Sequence, residues 1–179
     1  MIEVGCMNGR NLEIANELKI KYLGIDIVER FVKEANKKID TLNLDAIAIR
    51  CDAKCLNKIK NHFSKHFLAI FPFNSFGNIQ DPQKVLNSTY KNKLDTLILT
   101  YKTDIKTTKI RKKYLENTLF EKIKKRSSKK GVLFTSNKGL FSYAYSAEEI
   151  IKMGKVAGYK KTKNINFSKI GKGYLLLKE

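Results

Sequence analysis

The sequence predicts an α/β protein built on a mainly parallel sheet with helices on both faces. Two observations carry this expectation. Short apolar runs alternate along the chain with longer amphipathic stretches, the order produced when helices cross over between parallel strands. The last two strand-like runs depart from that order. Only KIGKG, residues 169–173, separates them, which is too short for a crossover and fits a tight reversal, so they should close the sheet as an antiparallel hairpin.

Taken in chain order, strands are expected at 1–4 (MIEV), 21–26 (KYLGID), 44–50 (LDAIAIR), 67–72 (FLAIFP) and 94–101 (LDTLILTY). Further strands are expected at 131–136 (GVLFTS), 159–167 and 173–178 (GYLLLK). Helical patterns fall at 10–18, 28–40, 54–65, 82–91, 106–124 and 146–157. Two helix starts are well marked. Asp81 offers a cap with Pro82 at the first helical position, and Ser146 with Glu149 has the spacing of a capping box. Gly158 is placed to end that last helix. The basic stretch 122–130 reads as a solvated helix end and loop.

A chain of 179 residues fits one domain, 1–179, large enough to bury a core. An apolar fraction of 42% with 10% aromatics indicates a globular chain rather than a disordered one. There is no apolar run of about 18 residues and no basic-then-apolar leader, so neither a membrane span nor a secretory signal is expected. Three cysteines do not suggest a disulfide framework, and a reducing cytoplasm is the expected compartment. The net charge of +19 comes almost entirely from lysine, in a chain also rich in Asn and Ile. AT-rich codons favour that combination whatever the function. Arginine, which reads bases and phosphates in bidentate fashion, is confined to Arg10, Arg30, Arg50, Arg111 and Arg126. A nucleic-acid partner is therefore the alternative that charge supports, and the charge alone decides nothing.

The chemistry-bearing residues gather at the carboxyl ends of the expected strands. The first strand runs into EVGCMNG, residues 3–9, where Gly5 and Gly9 allow positive φ and close backbone approach to a ligand. Asn8 also tolerates left-handed geometry, and the following helix presents free N–H groups. Asp26 ends the next strand about 20 residues on, the place from which a carboxylate accepts ribose hydroxyls. Asp52, in RCDA, ends the third strand at the same sheet edge.

In these segments the chain resembles the class I S-adenosylmethionine-dependent methyltransferases. EVGCMNG is similar to their first motif, an acid followed by a Gly-x-Gly-x-Gly loop; GIDI with Asp26 resembles the second, and CDA with Asp52 the third. FPFNSFGNI, residues 71–79, resembles the segment after the fourth strand in members that act on small molecules. The resemblance covers essentially the whole chain and implies a Rossmann-like seven-stranded sheet. It also implies S-adenosyl-L-methionine as cofactor, with Gly5, Cys6, Asn8 and Gly9 forming the loop beneath its amino-acid part and Glu3 supporting that loop from behind. Asp26 and Ile27 would hold the ribose side, Asp52 and Ala53 would face the adenine, and Phe71 and Asn74 would border the methyl group. A single catalytic residue is not required, because the cofactor is already reactive and the protein mainly aligns the acceptor.

The chain departs from the family pattern in two places. Met7 stands where the family usually has its middle glycine, and its flexible side chain can face the ligand or turn into the core. The first strand begins at Met1, leaving no residues for the family's usual lid, so the expectation is that the substrate site is unusually open, that partial cover comes from within 102–145, or that the chain lacks its native N-terminus. Tyr101, Tyr114, Tyr143 and Tyr145 are the candidate acceptor-site residues. Cys51, Cys55, His62 and His66 invite a zinc reading, but the gap between the pairs is about half the usual finger spacing, and no metal is expected. FPFN carries one proline and lacks the Asn/Asp-Pro-Pro-aromatic motif used to methylate adenine. The expected activity is methyl transfer to N or O of a small metabolite. The alternatives are an RNA methyltransferase and a non-catalytic binding module with an altered loop.

Overall fold

The switch of apolar pattern between short runs and amphipathic stretches resolves into alternating strands and helices over residues 1–118 and 120–179, which the computed structural model describes. The first half contains β1 (Ile2–Val4), α1 (Leu12–Glu17), β2 (Tyr22–Asp26), α2 (Glu29–Thr41), β3 (Ala46–Arg50) and β4 (Leu68–Phe71). The second contains α3 (Pro82–Lys91), β5 (Asp95–Tyr101), α4 (Ile105–Glu116), β6 (Lys124–Ser128), β7 (Gly131–Thr135) and β8 (Phe141–Tyr145). It closes with α5 (Ala147–Ala157), β9 (Lys161–Asn166) and β10 (Gly171–Leu177).

Seven strands form one sheet in the order β3-β2-β1-β4-β5-β10-β9. The first five run parallel, and β10 is antiparallel to both β5 and β9; the tight connection expected at 169–173 falls at 167–170, because β10 already begins at Gly171. Strand order reverses between β1 and β4, so a crevice opens at their carboxyl ends, where open α/β sheets take ligands. On one face α1 and α2 cover the sheet through Leu12, Ala15, Val32, Ala35 and Ile39. On the other, Val85, Leu86, Ile150 and Met153 of α3 and α5 pack against Ile25, Phe71, Ile98 and Leu176.

The marked helix ends form. Asp81 accepts from the Lys84 N–H ahead of Pro82, and Ser146 Oγ accepts from the Glu149 N–H at 3.2 Å. Gly158 ends α5 at φ +113°, a left-handed turn that suits glycine. The return bond of a capping box is replaced, because the Ser146 N–H goes to the Lys130 carbonyl at 2.8 Å.

Three expectations are corrected. The helix at 54–65 is a 3₁₀ run, Ala53–His62, broken where Cys55 and Ile59 leave helical φ/ψ. The helix at 106–124 ends at Glu116, and Leu119, within that expected span, lies outside the described residues. Beyond it the basic stretch is not a helix end: Lys124–Ser128 is strand β6. It joins β7 and β8 in a second, antiparallel sheet, which also takes the strand expected at 131–136. Every residue of β6 is exposed, since it is an edge strand held by backbone pairing, and its charges block further pairing on the open side.

Candidate cofactor and acceptor site

The loop after β1 is shaped by its backbone. Gly5 sits at φ +78°, and a Cβ there would approach Ser75 Cβ at 3.1 Å. The Gly5 and Cys6 N–H groups both donate to the Ile25 carbonyl, at 2.8 and 3.1 Å, which clamps the loop to the end of β2. Gly9, at φ +77°, has no room for a side chain, since a Cβ would stand 2.2 Å from Leu12 Cδ1. Behind the loop the buried Glu3 carboxylate accepts from the Tyr22 hydroxyl at 2.6 Å and from Asn11 Nδ2 at 2.5 Å. Glu3 thus ties β1, β2 and the start of α1 together. Burial raises its pKa above the usual carboxylate value, and its two donors pull partly the other way.

Met7 is held at φ +49°, half-buried, and its N–H donates to Asp26 Oδ2 at 3.0 Å. The other oxygen, Asp26 Oδ1, accepts from the Val28 N–H at 2.9 Å. Two backbone amides therefore fix the carboxylate, and each oxygen keeps a lone pair for a ligand. Asp52 caps the 3₁₀ run through the Lys54 N–H at 2.9 Å and pairs with Lys54 Nζ at 3.1 Å.

At the end of β4, Asn74 takes φ +62° and is buried with its N–H and side-chain amide engaged. Its N–H donates to the Leu99 carbonyl, Oδ1 accepts from Thr100 Oγ1, and Nδ2 donates to Ser142 Oγ at 3.0 Å. The last bond fastens the second sheet over the end of the first. Gly77 makes the same junction by close approach, since a Cβ there would lie 1.9 Å from the Tyr143 carbonyl oxygen.

Between the two sheets lies a cavity of about 1000 Å³. Glu3, Gly5, Met7, Asp26, Ile27, Asp52, Ala53 and Asn74 line one part of it, and Tyr101 and Tyr114 the other. The remaining expected site residues lie off its wall. Cys6 is buried in the core beneath α1 and α2, where burial pushes its thiol up to about 12; Gly9 packs on Leu12; and Asn8 is exposed outside the lining. Phe71 is fully buried, edge-on to Phe76 at 5.2 Å. Tyr143 and Tyr145 stack on each other at 4.2 Å, and Tyr145 joins the core. The strand pleat puts Tyr143 and Tyr145 on one face of β8 and Ser142, which lines the cavity, on the other.

Sequence reasoning passed over Arg111, which also lines the cavity. On α4 the buried positions Thr107, Arg111 and Leu115 recur every four residues, so an arginine occupies the inward stripe. In a lysine-rich chain that placement was a usable signal. The guanidinium lies over the Tyr101 ring at 4.6 Å and the Phe134 ring at 4.9 Å.

A Gly-turn clamped to its sheet, with acids ending the next two strands beside one large cavity, is the arrangement with which open α/β sheets take nucleoside-bearing ligands at a switch point. The profile of a family described as "Methyltransferase domain" matches residues 2–91, half of the chain, and the protein belongs to that family. It is a class I, S-adenosylmethionine-dependent methyltransferase by fold and family. No curated protein matches the sequence. Among solved structures, the chain is similar to the PH0226 protein of Pyrococcus horikoshii, with 14% identity, 98% of this chain and 80% of that one covered, and a TM-score of 0.70. A SAM-dependent methyltransferase of Methanosarcina mazei gives 16%, 98%, 92% and 0.64 for the same measures. The 1,6-didemethyltoxoflavin-N1-methyltransferase of Burkholderia thailandensis, with 1,6-didemethyltoxoflavin and S-adenosylhomocysteine bound, gives 12%, 98%, 70% and 0.61. At these identities the likeness is one of fold.

Proposed function

We propose that the protein transfers a methyl group from S-adenosylmethionine to N or O of a small metabolite. The observation that carries this reading is the cavity of about 1000 Å³, at the upper end of the range for small-molecule sites and roomy enough for a cofactor beside a modest acceptor. Its lining fits the cofactor. The spare lone pairs of Asp26 suit a ribose diol, and Ile27, 65% exposed at the cavity wall, offers an apolar surface with Ala53 to a base. Asp52 stands beside them, and the turn at Gly5 leaves backbone close to the ligand's amino-acid end. When bound, the cofactor supplies an electrophilic methyl group. The chain's own residues shape the space around it: Asn74 is held rigid at the boundary, while Tyr101 and Tyr114 flank the acceptor part. Burial raises the Tyr101 hydroxyl above its ordinary pKa, so at neutral pH it donates a hydrogen bond rather than removing a proton. The small-molecule acceptor of the Burkholderia neighbour supports the same acceptor class.

Calorimetry with S-adenosylmethionine and S-adenosylhomocysteine tests the reading, and absence of binding by both at millimolar concentration would reject it. Asp26→Ala should weaken either ligand by at least about tenfold, through loss of both the diol acceptor and the anchor of the Met7 N–H. Wild-type affinity in that variant would remove Asp26 from the ribose role. A second reading, an RNA acceptor, is favoured by the exposed basic strand β6 and the net charge of +19. It requires RNA binding that falls steeply with salt.

A further inference from the structure

We propose that Arg111 is the recognition cation for the methyl acceptor, and that the group it receives is a carboxylate. The assignment rests on the methyltransferase reading above and names the acceptor's chemistry. Arg111 is 2% exposed, yet among the described residues it has no acidic partner within ion-pair distance. Its hydrogen bonds all go to neutral oxygens: Nη1 to the Val132 carbonyl at 3.4 Å, and Nη2 to the Ser142 carbonyl and Oγ at 3.1 and 3.2 Å. Among the described residues Nε has no hydrogen-bond partner. A buried charge is ordinarily paired, and an orphaned donor on it ordinarily marks a missing acceptor. Here the side chain borders a cavity that the rest of the protein leaves open. Desolvation lowers its pKa to about 10, still high enough to keep it cationic at neutral pH.

The surroundings select the kind of anion. Tyr101 and Phe134 lie against the guanidinium, and with both Nη atoms bonded to Val132 and Ser142 the uncommitted Nε–H is the donor left for a carboxylate oxygen. A dianion such as phosphate would leave one charge uncompensated among aromatic rings. The location also suits an acceptor rather than the cofactor. Ser142 Oγ takes hydrogen bonds from both Arg111 Nη2 and Asn74 Nδ2, so Arg111 is linked through one hydroxyl to the residue at the end of β4. A carboxylate held there would leave the acceptor's nucleophilic atom free to point back toward the ends of β1 and β4.

The test uses the full chain saturated with S-adenosylhomocysteine, with acetate and benzoate as probes and acetamide and benzamide as their uncharged counterparts. The carboxylates should shift the Arg111 Nε–H resonance saturably, and the amides should not. Arg111→Gln should weaken benzoate by about tenfold to a hundredfold, the worth of a charged hydrogen-bonded pair, while its S-adenosylhomocysteine affinity stays within a few-fold of wild type. A guanidinium that merely braces α4 against β7 and β8 would ignore all four probes. An unmoved Nε–H in the wild type, or equal response to acid and amide, overturns the carboxylate assignment and needs no variant to fold. Failure of S-adenosylhomocysteine to bind is a separate outcome, which removes the methyltransferase reading and the acceptor assignment with it.

Discussion

Glu3 and Met7 show how much of the cofactor loop depends on single side chains. Burial holds the folded-state pKa of Glu3 above its ordinary 4.5, so between the two values the folded protein keeps a proton that the unfolded chain has lost. Stability contributed by that proton is full below 4.5 and is lost as pH rises through the raised value. Denaturant titrations across acidic to neutral pH should therefore show wild type losing stability relative to Glu3→Gln over that range. A difference that is flat with pH would mean the carboxylate is not desolvated. At Met7 the left-handed φ of +49° costs a side chain about 1 kcal/mol, which glycine escapes while losing a similar amount in unfolded-state entropy. Met7→Gly should change stability by less than about 1 kcal/mol and tighten S-adenosylhomocysteine binding by widening the cavity that Met7 lines. Weaker binding would instead make the thioether a ligand contact.

Among the elements, α4 has the most to hold and the least to hold it with. It presents few apolar residues to its neighbours, and Arg111 occupies the middle of its buried stripe. Its start is secured by Asp104, which accepts from the Thr107 N–H at 2.8 Å and from Thr107 Oγ1 at 2.7 Å. Asp104→Ala should cost about 1 kcal/mol in denaturant unfolding, and a neutral result would place the start of α4 elsewhere. The same element shows where sequence reading stops. Strands β1 to β5 were legible because each is an apolar run between turn signals, and the hairpin was legible from its short connection. Strand β6 carries no apolar alternation, since an edge strand with both faces wet needs none, and β8 was hidden because its tyrosines read as binding residues. In the site, Asp26 and Asp52 were legible as acids ending successive strands. Arg111 was not, because its meaning depends on β7 and β8, strands from a sheet that the sequence only half reveals.

At the scale of the whole molecule, the site exists because two sheets meet over one strand end. The seven-stranded sheet alone places the loop, Asp26 and Asp52, but Arg111 and Ser142 reach the cavity only if the small sheet docks. That docking runs through narrow contacts: Gly77 under the Tyr143 carbonyl and Asn74 to Ser142. A methyl group at Gly77 would have to displace backbone, not a flexible side chain, because the obstructing atom is a carbonyl oxygen at 1.9 Å. Gly77→Ala should therefore lift the small sheet while leaving the main one intact, at a cost of about 1–3 kcal/mol typical of overpacking. Amide hydrogen exchange provides the check, because it resolves regions of different local stability. Exchange should accelerate in β7 and β8 and stay slow in β1, β2 and β4, with S-adenosylhomocysteine affinity retained within a few-fold. The benzoate response at Arg111 should disappear in the same variant, since Phe134 and the Val132 and Ser142 carbonyls move with β7 and β8. Uniform acceleration across both sheets would show instead that they unfold as one unit, and that the acceptor half of the cavity is as much a part of the central fold as the cofactor loop.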